Sequence, residues 1–130
     1  MMMKEIQTLE NKELIKGSLV RGKLMELLSL EVDMKQKHLE FFMTGVFSSM
    51  DILLNREMEE IVEELPLTTE VREALLGENN KLREILNRII DYEMFNWREK
   101  EGEESFLNIP RERFMRAYLE ALKWVMELDY

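Results

Sequence analysis

Residues 41–77, FFMTGVFSSMDILLNREMEEIVEELPLTTEVREALLG, constrain the fold more than any other stretch of the chain. The stretch opens with Phe41–Leu54, where the only polar side chains are Thr44, Ser48, Ser49 and Asp51. A helix this apolar has to be surrounded by other helices, so it belongs at the centre of a bundle. It is too short and too polar to span a bilayer. An acidic amphipathic helix follows over about Arg56–Leu65. Its Met58, Ile61, Val62 and Leu65 face inward, and Glu59, Glu60, Glu63 and Glu64 face water. Pro66 ends that helix. Thr68 or Thr69 caps a short helix that closes at Gly77 in a left-handed stop.

The same 3.6-residue period runs through the rest of the chain, and β-branched alternation is missing. Residues 1–10 are expected to be a flexible lead-in. A first helix is predicted from Asn11 or Lys12 to Ser29, with Leu14, Ile15, Leu19, Val20, Leu24, Met25, Leu27 and Leu28 wrapping more than half of its surface. Gly17 and Gly22 lie inside it, each costing about 1 kcal/mol relative to alanine. They mark either close approach of another backbone or two tolerated weak points. Asp33-Met34-Lys35-Gln36 has the spacing of a capping box and predicts the start of the central helix, which runs to about Leu54. The polar positions Glu40, Thr44, Ser48, Asp51 and Asn55 form one narrow stripe along it.

Asn79 or Asn80 starts a helix to about Phe95, with Leu82, Ile85, Leu86, Ile89 and Ile90 inward. Residues 96–108, with Gly102 and a charge cluster, read as the most mobile connection. Pro110 suits the first turn of the last helix, capped by Asn108 or a neighbour. Phe114, Met115, Tyr118, Leu119, Leu122, Val125 and Met126 are expected on its inner face, opposite Arg116, Glu120, Lys123 and Glu127. The expected architecture is all-α: a compact bundle of about five to six helices forming one domain over residues 11–130.

Composition bounds the function. The net charge is −9, with 18 Lys and Arg against 27 Asp and Glu. Nucleic-acid binding needs a cationic surface that displaces counterions, so neither nucleic acid nor an anionic membrane is an expected partner. No cysteine is present, which removes thiolate nucleophiles and cysteine-based zinc sites and fits a reducing, cytoplasmic setting. Met1–Glu5 leads into no apolar signal-peptide core.

Few residues carry recognisable chemistry. His38 is the one histidine, and a metal centre needs several convergent ligands. It reads as an ordinary half-exposed side chain. No G-x-S-x-G elbow surrounds Ser29, Ser48 or Ser49, so a serine triad using His38 is rejected. Glu57, Glu60 and Glu64 nearly share a face, as do Glu59 and Glu63. No Glu-x-x-His motif accompanies them, and they read as a solvated surface. No phosphate-binding loop occurs, so no cofactor is expected. Tyr92–Trp97, YEMFNW, is aromatic and polar at once and either staples a helix end or forms a contact surface. Tyr92, Glu93, Asn96 and Trp97 are the candidate contact residues.

LVRGKLMELL (19–28), FFMTGVFSSMDILL (41–54), MEEIVEELPLTTEVREALLG (58–77), IIDYEMFNW (89–97) and AYLEALKWVMEL (117–128) occur here in order. Together these segments resemble the C-terminal part of an HDOD domain, in the version joined to EAL domains of bacterial signal-transduction proteins. The resemblance covers about residues 11–128. It implies an all-α fold related to HD-type phosphohydrolases, in which a Gly-x-x-His-Asp pattern supplies a metal-binding His-Asp pair. Here Gly45-Val46-Phe47 is followed by Ser48-Ser49. Two hydroxyls do not replace an imidazole and a carboxylate as ligands of a hard divalent ion. The resemblance therefore implies no metal, no catalytic residue and no enzyme.

The expected function is a non-catalytic signalling and protein-interaction module linked to cyclic-di-GMP signalling. It would dock to a protein partner or a neighbouring domain, an EAL domain among the candidates. The alternative is a small-molecule or nucleotide sensor without catalysis. The N-terminal helices of HDOD and the EAL domain have no counterpart in this sequence, so the chain reads either as a short protein or as a piece of a larger one. Apolar surface left uncovered on the first and central helices predicts a homodimer.

Overall fold

The computed structural model describes residues 9–94, 105–106 and 109–128. Among these residues the chain forms α1 (Leu9–Glu31), a 3-10 turn (Lys35–Lys37), α2 (His38–Phe47), α3 (Met50–Leu54), α4 (Met58–Glu64), α5 (Thr69–Leu75), α6 (Lys81–Glu93) and α7 (Arg111–Glu127). Ser105–Phe106 (β1) pairs antiparallel with Ile109–Pro110 (β2) just before α7. The fold is all-α, as the periodicity requires. No described helix is long and apolar enough to cross a membrane.

One core draws on nearly every element. Leu24, Met25 and Leu28 of α1 meet Phe41 of α2, Val62 of α4, Val71, Ala74 and Leu75 of α5, and Leu82, Ile85, Leu86 and Ile89 of α6. Phe114, Ala117 and Ala121 of α7 close the cluster together with Ile109. The most extensive packing is α1 on α2, followed by α1 on α7.

The α1–α2 crossing is made by two glycines. A Cβ added to Gly45 would lie 2.6 Å from the Gly22 Cα and 2.7 Å from the Arg21 carbonyl oxygen. A Cβ on Gly22 would meet the Val46 side chain, with the Phe42 carbonyl oxygen at 3.0 Å. Gly22 thus answers to close backbone approach, whereas among the described residues nothing lies within 4 Å of the equivalent position at Gly17.

Helix ends explain where expected and observed boundaries differ. Gly77 has φ +89, with its N–H bonded to the Ala74 carbonyl and the Glu78 N–H to that of Glu73, the Schellman stop expected there. Asp33 (φ 60) and Asn55 (φ 53) do the same for α1 and α3. Met34 N–H reaches the Ser29 carbonyl at 2.8 Å, and Arg56 N–H reaches the Asp51 carbonyl at 3.1 Å. The capping-box expectation at Asp33 is therefore overturned. The residue ends α1 instead of starting α2, because a short polar side chain tolerates the left-handed conformation that a C-terminal stop requires. Of the two candidates expected at each start, Thr68 caps α5 and Asn80 caps α6, accepting from the Val71 and Arg83 N–H groups.

The central helix is not continuous. It breaks at Ser48-Ser49 into α2 and α3. Within its polar stripe Thr44 is fully buried, its hydroxyl donating to the Glu40 carbonyl at 2.8 Å, whereas Asn55 is exposed. Along α7 the buried line is Phe114, Ala117, Ala121 and Val125, while Leu119 and Met126 turn outward. Two alanines let α7 approach α1, and that approach rotates the larger side chains out of the interface. The expected cap Asn108 lies outside the described residues, as do Phe95 and the connection's Gly102 and charge cluster.

Candidate functional site

The break in the central helix carries the chain's most organised polar arrangement. Ser48 closes α2 by donating its hydroxyl to the Gly45 carbonyl at 2.7 Å, beside the longer bond that its own N–H makes to the same helix-end acceptor at 3.4 Å. Arg21, next to the Gly22 crossing point, reaches across from α1. Its Nη1 donates to Ser48 Oγ at 2.8 Å and to Ser49 Oγ at 3.1 Å. Its Nη2 and Nε donate to the two carboxylate oxygens of Glu93, the last residue of α6.

The side chains of Arg21 and Glu93 are only 16% and 28% exposed, so the pair is held largely away from water. Bidentate guanidinium–carboxylate geometry is the strong form of such a contact. The cation also sits at the C-terminal ends of α2 and α6, where the helix dipole favours positive charge. Glu93 at a helix C-terminus would be unfavourable alone, and Arg21 offsets it. Three helices are thereby tied at one point.

The resemblance noted in the sequence sets Ser48 and Ser49 against the metal-binding pair of an HD-type site. The residues present do not fit a divalent ion. Both hydroxyls accept from a fixed guanidinium, and the neighbouring carboxylate is committed to the same cation. A divalent ion about 4 Å from that charge would meet a repulsion of roughly 8 kcal/mol at an effective dielectric of about 20. Among the described residues, no three acidic or imidazole side chains converge as a metal site.

The other sequence candidates separate in space. Tyr92 turns toward α7, edge-on to Phe114 at 4.9 Å between ring centroids and tilted against Tyr118 at 5.6 Å. Its hydroxyl lies 2.9 Å from the Met115 sulfur. Glu93, one residue on, turns the other way to Arg21. Asn96 and Trp97 lie outside the described residues. His38 is half-exposed, with Nδ1 3.2 Å from Glu26 Oε2, and Lys23 Nζ binds the other oxygen of Glu26 at 3.0 Å. Glu57, Glu59, Glu60, Glu63 and Glu64 are all exposed. Arg56 binds both Glu60 and Glu64 and holds the Glu64 carboxyl below its usual range.

Beside the Arg21–Glu93 pair, a cleft of about 450 Å³ opens between α1 and α7. Arg21, Ser49 and Glu93 form part of its wall, with Leu14, Leu122 and Met126 among its apolar residues. Tyr118 also lines it. Burial, reinforced by the charge of Glu93 and then by Tyr92, pushes the Tyr118 phenol above its ordinary range. A phenol whose folded pKa is raised keeps its proton in the native state, so its contribution to stability is intact below the ordinary tyrosine range. That contribution is lost as pH climbs from that range through the higher folded value. Spectrophotometric titration should show a late-ionising phenol that Tyr118→Phe removes, and alkaline unfolding of that variant should lose part of its pH dependence.

Sequence reading singled out Ser48, Ser49 and Glu93 but gave Arg21 no role. The one mark on it in the sequence is its place beside Gly22.

No family model matches the chain, and no solved structure matches it significantly. Two curated proteins are similar to it. YuxH of Bacillus subtilis, an uncharacterized protein, is 41% identical over 116 residues, which cover 89% of this chain and 28% of YuxH. The cyclic di-GMP phosphodiesterase CdgJ of Vibrio cholerae is 28% identical over 124 residues, covering 95% of this chain and 29% of CdgJ. The chain thus spans under a third of the length of the curated relatives it matches.

Proposed function

We propose that this chain is a non-catalytic helical module of the HDOD type that serves cyclic di-GMP signalling by docking to the EAL domain of a phosphodiesterase. The observation that carries this reading is the Arg21 knot. At the position where a catalytic relative would bind metal, a guanidinium is fixed by Ser48, Ser49 and Glu93. The knot ties α1, α2 and α6 together, which suits a rigid docking scaffold better than a reaction centre. The similarity along 95% of the chain to part of CdgJ, a cyclic di-GMP phosphodiesterase, supports the signalling context. Acidity argues for a protein partner over nucleic acid.

The test is direct. The purified chain, supplied with Mn2+ or Mg2+, should hydrolyse neither cyclic di-GMP nor a generic phosphodiester. Added to an EAL phosphodiesterase from the same host, it should bind saturably and change the rate of cyclic di-GMP hydrolysis. Metal-dependent turnover by the chain alone, or no binding to any such enzyme, would reject the reading. A thermal shift with cyclic nucleotides and no binding to the enzyme would favour the sensor alternative.

A further inference from the structure

The short helix α3 is the least anchored α-helix among the described residues. None of its five residues, Met50–Leu54, is buried, and no side chain caps its N-terminal end. Ile52 is 69% exposed. Its neighbours along the chain are fixed: Phe41, Thr44 and Gly45 hold α2 in the bundle, and Ile61 and Val62 hold α4. A gap of about 70 Å³ lies between α3 and the bundle, walled by Ile15, Ser18 and Leu19 of α1, Val46 of α2, and Met50 and Leu53 of α3 itself. Side chains that face a gap forfeit part of their dispersion contacts.

The helical path is broken on both sides of α3. Ser49 precedes it at φ −112 and ψ 12, and Asn55 ends it in the left-handed region at φ 53. A polar tether crosses the first break. Arg21 Nη1, on α1, donates to Ser49 Oγ at 3.1 Å, and Ser49 is 8% exposed. The same nitrogen holds Ser48 at 2.8 Å on the α2 side, and Glu93 fixes the guanidinium from the end of α6. A hydrogen bond from a fixed, largely buried cation is of the strong kind. The closed position of α3 therefore rests on this bond and on the partial contacts of Met50 and Leu53.

We propose that Met50–Asn55 is a hinged flap that opens from the otherwise folded bundle about Ser49 and Asn55, with the Arg21–Ser49 hydrogen bond as the latch that keeps it closed. Elements with few buried apolar contacts open at free energies well below that of global unfolding. A five-residue helix does not hold itself together in water, so undocking melts it. The Leu53 and Arg56 N–H groups, bonded to the Ser49 and Asp51 carbonyls when the flap is closed, are then freed. Opening uncovers Ile15, Leu19 and Val46 and leaves the core of Leu24, Met25 and Leu28 in place. Because Arg21 is shared with Glu93, the latch joins the flap to the end of α6. The flap stands whether or not the chain serves in signalling, since it rests on how α3 is held.

Native-state hydrogen exchange, read residue by residue by NMR, tests this. In the wild-type chain the Leu53 and Arg56 amides, relative to their unstructured rates, should exchange at least about 100-fold faster than those of Leu24, Met25 and Leu28. Low urea should speed the α1 amides and leave Leu53 and Arg56 unchanged. Ile85→Val, in the fully buried core of α6, lowers global stability. It should speed the α1 amides by about threefold to tenfold without changing Leu53 and Arg56. Ser49→Ala removes the latch while Ser48 and Glu93 keep the guanidinium paired, so it should speed Leu53 and Arg56 about tenfold. Protection of Leu53 and Arg56 equal to that of α1, or rates that rise in step with α1 in Ile85→Val, would overturn the flap. Unchanged Leu53 and Arg56 rates in Ser49→Ala would overturn the latch. Should Ser49→Ala fail to fold, the wild-type rates and Ile85→Val decide.

Discussion

Gly45→Ala should lower the unfolding free energy by about 3 kcal/mol or more, a large share of the roughly 5–15 kcal/mol of an ordinary domain. The new methyl would lie 2.6 Å from the Gly22 Cα and 2.7 Å from the Arg21 carbonyl oxygen. Both are backbone atoms that no rotamer change can move, so α1 and α2 would have to separate along the most extensive contact in the fold. Gly22→Ala should be milder, at about 1–3 kcal/mol, because its main obstacle is the Val46 side chain, which has other rotamers. Gly17→Ala should stabilise the chain by up to about 1 kcal/mol, since its Cβ meets none of the described residues. Urea denaturation of the three variants reads the series. A destabilised Gly17→Ala or a neutral Gly45→Ala would contradict the crossing described above.

Arg21→Ala should destabilise by about 2–3 kcal/mol, and Arg21→Lys should recover little of it. Removing the guanidinium leaves the Glu93 carboxylate, 28% exposed, without its cation at a helix C-terminus. It also takes the shared donor from Ser48 and Ser49. A lysine ammonium lacks the planar fork that reaches two carboxylate oxygens and two hydroxyls at once. The magnitude sits below that of a fully buried pair because both side chains keep some contact with water. In a double-mutant cycle, Arg21→Ala and Glu93→Gln together should cost clearly less than their sum. Additive effects would mean that the pair does not act as a unit.

These two predictions concern residues of unequal visibility. Gly22 is legible because glycine inside a helical pattern carries a known penalty. Its partner Gly45 lay in a stretch whose strong hydrophobicity already accounted for it. Arg21 carried no pattern at all, since a lone cation on a helix is usually solvated and its partners lie 27, 28 and 72 residues away. Tyr92 and Glu93 were legible as a pair but not in direction. Adjacent helical positions point about 100° apart, so one entered the α7 packing and the other the Arg21 knot.

The sequence by itself determined the all-α class, the termination of α4 at Pro66, the caps to within one residue (Thr68 or Thr69, Asn79 or Asn80), and the left-handed stop at Gly77. Each follows from a local rule about period, ring closure or an orphan backbone group, acting within a few residues. Only the tertiary structure decided the rest. It assigned Asp33 and Asn55 to helix ends, broke the central helix at Ser48-Ser49, buried Thr44, and turned Leu119 and Met126 outward. It also gave Arg21 its partners. Short polar residues serve several local geometries almost equally well. The choice among them falls to whichever distant backbone or charge arrives, and that information lies in the packing of α1 on α2 and α7, beyond the reach of any local rule.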